Sequence, residues 1–397
     1  MKRVLILGID GYIGWSLANH LLKKGGYEVC GLDNLSRRKF VELIGSDSLT
    51  PIATIAARER HLTHHFNFID RIARVPLSSD YSIDRILSEY KPDTIVHLAE
   101  QPSAPFSMRS VKDAIATQQE NVCGTLSLLW AMRRNCPDAH LVKLGTMGEY
   151  GTPNCDIPEG FIPSKPCAWT ADMAGGSLIR ACPMRGLPFP KLAGSFYHLS
   201  KVHDTNNIHF SCRTWGLRST DIMQGVVFGL NDFVNEVEIT RFDYDQYFGT
   251  VINRFCAQAI SNHPLTIYGY GGQIRGYLPL KDSIQCLNLI IDNPPSEGEY
   301  RVFNQFENIY SVNDLANEVQ QAALMLGIEV GLAYLNNPRE VVELENHYYN
   351  PDHQKLFDLG YEPTKDIRAE IIKLINQLMP YRKAVKPSVI IPTTTWR

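Results

Sequence analysis

The sequence contains no Cys-x-x-Cys pair, no long run of basic residues and no apolar stretch near the roughly 18 residues that a membrane-crossing helix needs. Each absence removes a class. The nine cysteines, at 30, 123, 136, 155, 167, 182, 212, 256 and 286, are scattered and odd in number. That pattern fits reduced thiols in a cytoplasmic protein rather than a disulfide framework or a zinc site. His61, His64 and His65 lie close in sequence, but no cysteine or acid at ligand spacing completes a set, so no metal is expected. The formal net charge of −3 comes without the basic stripe of a nucleic-acid-binding surface. Arg37-Arg38-Lys39 and Arg382-Lys383 read as solvated ends or anion contacts. Met1-Lys2-Arg3 followed by Val4–Leu7 has the polarity of an export leader, yet the apolar run is too short and leads straight into glycines, so neither leader nor membrane insertion is expected. There is no internal repeat and no low-complexity tract.

What remains is an ordinary globular composition, 44% hydrophobic and 20% charged, over 397 residues. That length exceeds one small core and predicts a large domain with a smaller partner. The first half alternates short apolar runs with helical spacing. Strands are predicted at Val4–Leu7, Glu28–Leu32, Phe66–Ile69, Thr94–Leu98 and His140–Leu144, and helices at Tyr12–Lys24, Ile83–Tyr90 and Asn121–Arg134. Repeated βα units with apolar strands imply an α/β, Rossmann-type doubly wound parallel sheet covered on both faces. Between Asn154 and Ala193, six prolines and four glycines break the pattern. This stretch reads as a functional loop or flap, with a short helical turn around Gly175–Ala181. Periodicity resumes with a helix over Ser195–Trp215 and a strand over Arg218–Ile222. Further helices are predicted at Gln246–Asn262, Ser283–Ile291, Val312–Leu326 and Ile367–Leu378. Residues 1–233 are assigned to the Rossmann domain, flap included. Residues 234–397 form mainly a smaller α/β substrate-binding domain, some of whose segments return to the first.

Two constellations carry chemistry. Gly8-Ile-Asp-Gly11-Tyr-Ile-Gly14 is G-x-x-G-x-x-G between a strand and a helix. Glycines there let the backbone turn tightly and approach a pyrophosphate, whose charge sits at the helix N-terminus. Asp33, at the end of the next strand, suits the adenosine ribose hydroxyls and repels a 2′-phosphate, favouring NAD over NADP. The second is Tyr197-His198-Leu199-Ser200-Lys201. Its i, i+4 spacing puts phenol and ammonium on one helix face, where the ammonium should lower the phenol pKa from about 10 toward neutrality. Such a phenolate can take a proton from an alcohol while hydride leaves for nicotinamide. Thr146, just past the fifth strand, offers a hydroxyl to steady the reacting oxygen.

The glycine turn, Asp33, Asn121-Val-Cys-Gly-Thr125, Thr146 and Tyr197/Lys201 together resemble the extended short-chain dehydrogenase/reductases, the NAD-dependent epimerase/dehydratase family of nucleotide-sugar enzymes. Gly271-Gly-Gln-Ile-Arg-Gly-Tyr277, Asn337-Pro-Arg339 and Leu359-Gly-Tyr-Glu-Pro363 fit the second-domain pattern of that family. Longer runs resemble its UDP-sulfoquinovose-forming branch along nearly the whole chain. They include Leu144-Gly-Thr-Met-Gly-Glu-Tyr-Gly-Thr-Pro-Asn154, Ser195-Phe-Tyr-His-Leu-Ser-Lys-Val-His-Asp204, Arg241-Phe-Asp-Tyr-Asp245 and Glu345-Asn-His-Tyr-Tyr-Asn350.

The resemblance implies tightly held NAD, UDP-glucose or a related nucleotide sugar as substrate, and sulfite or a sulfur-donor protein as its co-reactant. It also implies a homodimer formed through the helices that hold Asn121–Arg134 and Ser195–Trp215. The implied catalytic set is Thr146, Tyr197, Lys201 and His198, the histidine moving protons near C6. The implied cofactor site joins Gly8, Gly11, Tyr12, Ile13 and Gly14 to Asp33, Asn34, Arg38, Leu98 and Gln224, beside Tyr197 and Lys201. The implied substrate site takes Gln101, Thr146, Met147, Gly148 and Glu149 with Tyr197, Gln224 and Arg241, while Arg275 and Arg339 bind the diphosphate.

Ordinary 4,6-dehydratases of the family carry an Asp-Glu pair after the threonine. Met147 and Gly148 stand there instead, so a 4,6-dehydratase with its usual acid/base pair is not expected. The residues alone leave open 4-epimerisation or 5,6-dehydration of another nucleotide sugar, and a non-catalytic NAD-binding regulator. Pro102 stands where an arginine is usual, Pro279 where an acid is usual, and the stretch around Cys167–Arg185 is longer than the pattern.

Overall fold

In a computed structural model of the protein, residues 1–64, 68–73, 80–162, 168–173, 176–181, 187–342 and 344–396 are described, with backbone alone in the parts that fall within 63–82 and 163–186. Seven parallel strands form the main sheet: β1 (Lys2–Leu7), β2 (Tyr27–Leu32), β3 (Phe68–Ala73), β4 (Thr94–His97), β5 (His140–Leu144), β6 (Arg218–Gln224) and β7 (Tyr300–Gln305). They lie in the order β3-β2-β1-β4-β5-β6-β7.

The apolar strands are explained by their two covered faces. Val4, Ile6, Val96 and Val142 pack on one side with Trp15, Leu17 and Leu21 of helix α1 (Tyr12–Lys24). Their strand neighbours Leu5, Leu7, Ile95 and Leu141 point the other way, onto helices α2 (Gly124–Asn135) and α3 (Phe196–Trp215). Side chains alternate along a strand, so both sets must be apolar when both faces are buried. Helix α1 stops at Gly25, whose φ of 77° only glycine adopts freely, and Lys23 and Lys24 complement its C-terminal dipole.

A second lobe has its own core, built on the helices Val251–Ile260, Val312–Met325 and Ile367–Leu378. Strand Ile274–Pro279 links the lobes, pairing with Val226–Phe228 on one side and Asn308–Ser311 on the other. The chain then returns to the first lobe: helix Leu280–Asp292 packs on α1, and β7 joins β6.

Three local expectations change. The helix predicted from Asn121 begins regular α geometry at Gly124, after a five-residue π-helical turn, Gln119–Cys123, that continues the helix Val111–Gln118. The turn places Asn121 where its amide bonds Ser200 Oγ at 2.8 Å and the Gln101 backbone. The helical turn expected at Gly175–Ala181 is instead a strand, Gly176–Ala181, antiparallel to Ala168–Met173. A hairpin satisfies the backbone of a stretch with no helical period by pairing it with itself. The helix predicted from Gln246 starts at Val251, because the Asp245 carboxylate accepts from the Tyr247 and Phe248 amides and holds a turn. The third strand begins at Phe68; Phe66 and Asn67 lie outside the described residues, as does His65.

Candidate active site

The strands of the main sheet end at a cavity of about 530 Å³ between the two lobes, where sheet topology of this kind places ligands. Its floor is the glycine turn. A Cβ on Gly8 would lie 2.8 Å from the Leu98 carbonyl, and one on Gly14 would lie 2.9 Å from Ile9 Cα. Only hydrogen fits at either position. Gly11 caps α1 without a side-chain bond, so the first turn presents backbone N–H groups with no acid beside them. At the end of β2, Asp33 accepts from the Asp10 amide at 2.9 Å and the Leu35 amide at 2.7 Å. Burial, then the neighbouring Asp10 carboxylate, pushes its pKa up to about 6. A cradle with room only for hydrogen, followed by a carboxylate at the ribose position, fits NAD. Tyr12, Ile13, Asn34, Leu98 and Gln224 also line the cavity.

The candidate catalytic residues line the same cavity. Ser195 caps α3, accepting from the His198 amide at 3.0 Å, and so brings Tyr197, His198 and Lys201 to the cavity on one helix end. The Thr146 hydroxyl accepts from the Gly148 amide at 3.1 Å and favours the Tyr197 phenolate. Lys201 Nζ lies 5.8 Å from the Tyr197 ring centre, donates to the Leu144 carbonyl at 2.5 Å and is ion-paired to Glu100. The lowered phenol pKa expected from Lys201 is not found: burial pushes Tyr197 up, and the foremost opposing charge is Lys143, in β5. The physical reason is that Lys201 is turned toward the Glu100 carboxylate. Burial also takes Lys201 down to about 8, against the pull of Asp204 and Asp221.

His198 fills the space that Gly148 leaves. A Cβ on Gly148 would lie 2.6 Å from its Cδ2. Its Nδ1 is buried without a partner, and burial, then Arg339 and Arg275, takes its pKa down to about 3. The ring is therefore neutral, with hydrogen-bonding capacity in reserve. Arg275 holds the Ile274 carbonyl at 2.7 Å and His347 at 2.8 Å, Arg339 lies 5.4 Å over Trp396, and both line the cavity. Met147 and Gly148 line it as well.

Four of the anticipated site residues stand outside its walls, each held by a neighbour. Arg38 makes a two-pronged pair with Asp10, and Arg241 with Asp243. Gln101 donates to Thr117 at 2.8 Å and to the Ser103 carbonyl at 3.0 Å. Glu149 is buried against Lys191 and accepts from Thr205 at 3.1 Å. Conversely, Arg37 reaches the cavity, stacked 3.7 Å over Phe248 and paired with Asp243, and Glu100 lines it beside Lys201. The basic run Arg37-Arg38-Lys39 offered Arg37 as an anion contact, but the pairing of Arg37 with Asp243 and of Glu100 with Lys201 was hidden because those partners lie far along the chain.

The model of the NAD dependent epimerase/dehydratase family matches residues 4–170. The UDP-sulfoquinovose synthase of Spinacia oleracea chloroplasts is 46% identical over 399 residues, covering 100% of this chain and 79% of that protein. The UDP-sulfoquinovose synthase of Sulfolobus acidocaldarius is 43% identical, covering 100% and 98%. The chain belongs to the UDP-sulfoquinovose synthase family. It is thus an NAD-dependent enzyme that modifies a nucleotide sugar. The fold agrees with solved structures of more distant relatives. Bacillus cereus UDP-glucuronic acid 4-epimerase, in complex with UDP-glucuronic acid and NAD, superposes with a TM-score of 0.68 at 19% identity, over 97% of this chain and 100% of that one. UDP-glucose 4-epimerase of Thermotoga maritima, with UDP-glucose, gives 0.66 at 19% identity with the same coverage.

Proposed function

We propose that the enzyme converts UDP-glucose and sulfite to UDP-sulfoquinovose and water, in a reducing, cytoplasmic compartment, as a homodimer. The observation that carries the chemistry is at Gly148, where the 4,6-dehydratase pattern has its second acid: a neutral, partly unsatisfied His198 fills the space that a side chain at 148 would take. When bound, NAD supplies a reversible two-electron acceptor for C4. Gly8, Gly11 and Gly14 would hold its pyrophosphate and Asp33 its ribose hydroxyls. Tyr197, steadied by Thr146, takes the C4 hydroxyl proton and returns it when the alcohol is restored. While C4 is a ketone, the C5–H is acidic, and water leaves from C6 to give a conjugated enone. His198 moves the protons of this step. Sulfite then adds at C6 through sulfur, and C5 regains a proton. Arg275 and Arg339 grip the diphosphate, since arginine suits two-pronged phosphate recognition.

The dimer is supported by apolar side chains left exposed on the implied helices: Leu126 and Trp130 on α2, and Phe196, Leu199 and Phe210 on α3. The compartment is supported by the seven described cysteines, none of which is in a disulfide. Among the described residues no helix is long and apolar enough to cross a membrane. The deciding experiment incubates the NAD-loaded enzyme with UDP-glucose, with and without sulfite, and reads product masses. A sulfonated nucleotide sugar formed only with sulfite is expected. UDP-galactose in both arms would replace this function by 4-epimerisation.

A further inference from the structure

Behind the Tyr197–Lys201 pair lies a closed cluster of charges that the Y-x-x-x-K motif does not contain. Lys143 projects from β5 and is 1% exposed; it is ion-paired to Glu100 and lies 3.1 Å from Asp204, which are 2% and 0% exposed. Glu100 also holds Lys201. A lysine in the middle of a buried parallel strand is costly unless it is paired. Two carboxylates and two ammoniums here cancel.

The remaining groups around the cluster are few. From β4 comes His97, 3.8 Å from Glu100 and held neutral by burial. From the turn after β5 comes Glu149, itself paired with Lys191. From β6 comes Asp221, which accepts from Thr205 and Tyr300. From α3 come Lys201, Asp204 and the neutral His198.

Removing Lys143 would leave one ammonium facing two carboxylates, a net negative charge beside a phenol that must ionise. We infer that Lys143 is a positioning residue for this reaction: seated between Glu100 and Asp204, it is the fixed buried cation that lets Tyr197 ionise while Lys201 is engaged by Glu100. The inference rests on Tyr197 being the base. The electrostatic pattern agrees, for Lys143 favours the Tyr197 phenolate while Asp204 and Glu149 oppose it.

The sign of the effect separates this role from plain structural support. Activity depends on the phenolate, so it rises with pH through an apparent pKa belonging to the Tyr197–Lys201 pair. Lys143→Met should move that limb of the kcat profile to higher pH by about one unit or more, the usual effect of a lost neighbouring charge. Asp204→Asn keeps size and a hydrogen-bond acceptor for Lys143 but removes a negative charge, and should move the limb down. Lys143→Arg keeps the charge and should restore the wild-type limb.

The experiment measures kcat against pH for the NAD-loaded variants with UDP-glucose and sulfite, with thermal melting to confirm folding. Opposite shifts support the role. A folded Lys143→Met whose limb stays in place, with activity scaled down equally at every pH, overturns it. If Lys143→Met does not fold, Asp204→Asn decides: a downward shift supports the role, and an unmoved or upward limb overturns it. Tyr197→Phe runs alongside. If that variant stays active, the base assignment fails; if it is inactive and the limbs do not move, only the role of Lys143 fails.

Discussion

Replacing Gly148 with alanine should injure catalysis far more than stability. The added methyl would sit 2.6 Å from His198 Cδ2 and 3.1 Å from its Cε1. Carbon atoms make comfortable contact at about 3.5 Å, so the ring must retreat by about 1 Å. It has somewhere to go, because His198 is at the cavity wall and not locked in a packed core. The stability loss should therefore lie near the low end for overpacking, about 1 kcal/mol, or a melting shift of about 1–2 °C in a chain this long. The ring retreats into the space where the sugar is to react, and a misplacement of about 1 Å can cost about 10²-fold in rate. The assay is kcat/KM for UDP-glucose with saturating sulfite, beside NAD binding by calorimetry, in Gly148→Ala, His198→Ala and the double variant. We expect a large fall in kcat/KM for Gly148→Ala with NAD binding unchanged. The double variant should be no worse than His198→Ala, because the methyl acts only through the ring. Full multiplication of the two losses, or wild-type turnover by Gly148→Ala, would refute the proposed part of His198.

Arg275→Ala should weaken binding of UDP-glucose much more than binding of NAD in calorimetry; equal losses would mark a structural role. Gly14→Ala should abolish NAD binding or folding, because its methyl meets the backbone of Gly8 and Ile9, which cannot rotate aside; a stable variant with normal NAD affinity would contradict that fit. His140 is buried, bonded to Thr220 Oγ1 at 2.8 Å, and burial takes its pKa from 6.5 down to about 3. The unfolded chain binds that proton first, so the contribution of His140 is complete above about pH 6.5 and is lost as the pH falls toward 3. His140→Asn should lose less stability than wild type over that interval, as read by denaturant melts at each pH. Light scattering at micromolar concentration should give a dimer, and Trp130→Glu with Phe210→Glu should give a monomer.

The parallel sheet, the glycine turn and the Tyr197/Lys201 pair were legible because each is a local pattern. Apolar strands report burial on both faces, and a four-residue helical spacing reports a shared face. The interior charge cluster was not legible in the same way. Lys143 in His140–Leu144 reads as an ordinary polar interruption until Glu100 and Asp204, 43 and 61 residues distant in sequence, are brought to it. Ion pairing also draws Arg38 to Asp10, 28 residues back, and Arg241 to Asp243, two residues on, away from the ligand positions that the family pattern implies for them. The hairpin of Ala168–Met173 and Gly176–Ala181 was missed because a short stretch with glycine before it satisfies turn and strand patterns equally.

The late return of the chain to its first lobe constrains how the molecule is made. Strand β6 is complete at Gln224, but its partner β7 begins only at Tyr300. On the ribosome, the six earlier strands emerge with the far edge of β6 bare while some 75 further residues are synthesised. An unpaired parallel edge is a template for the wrong neighbour. Several seconds of translation thus separate a nearly complete sheet from a sealed one.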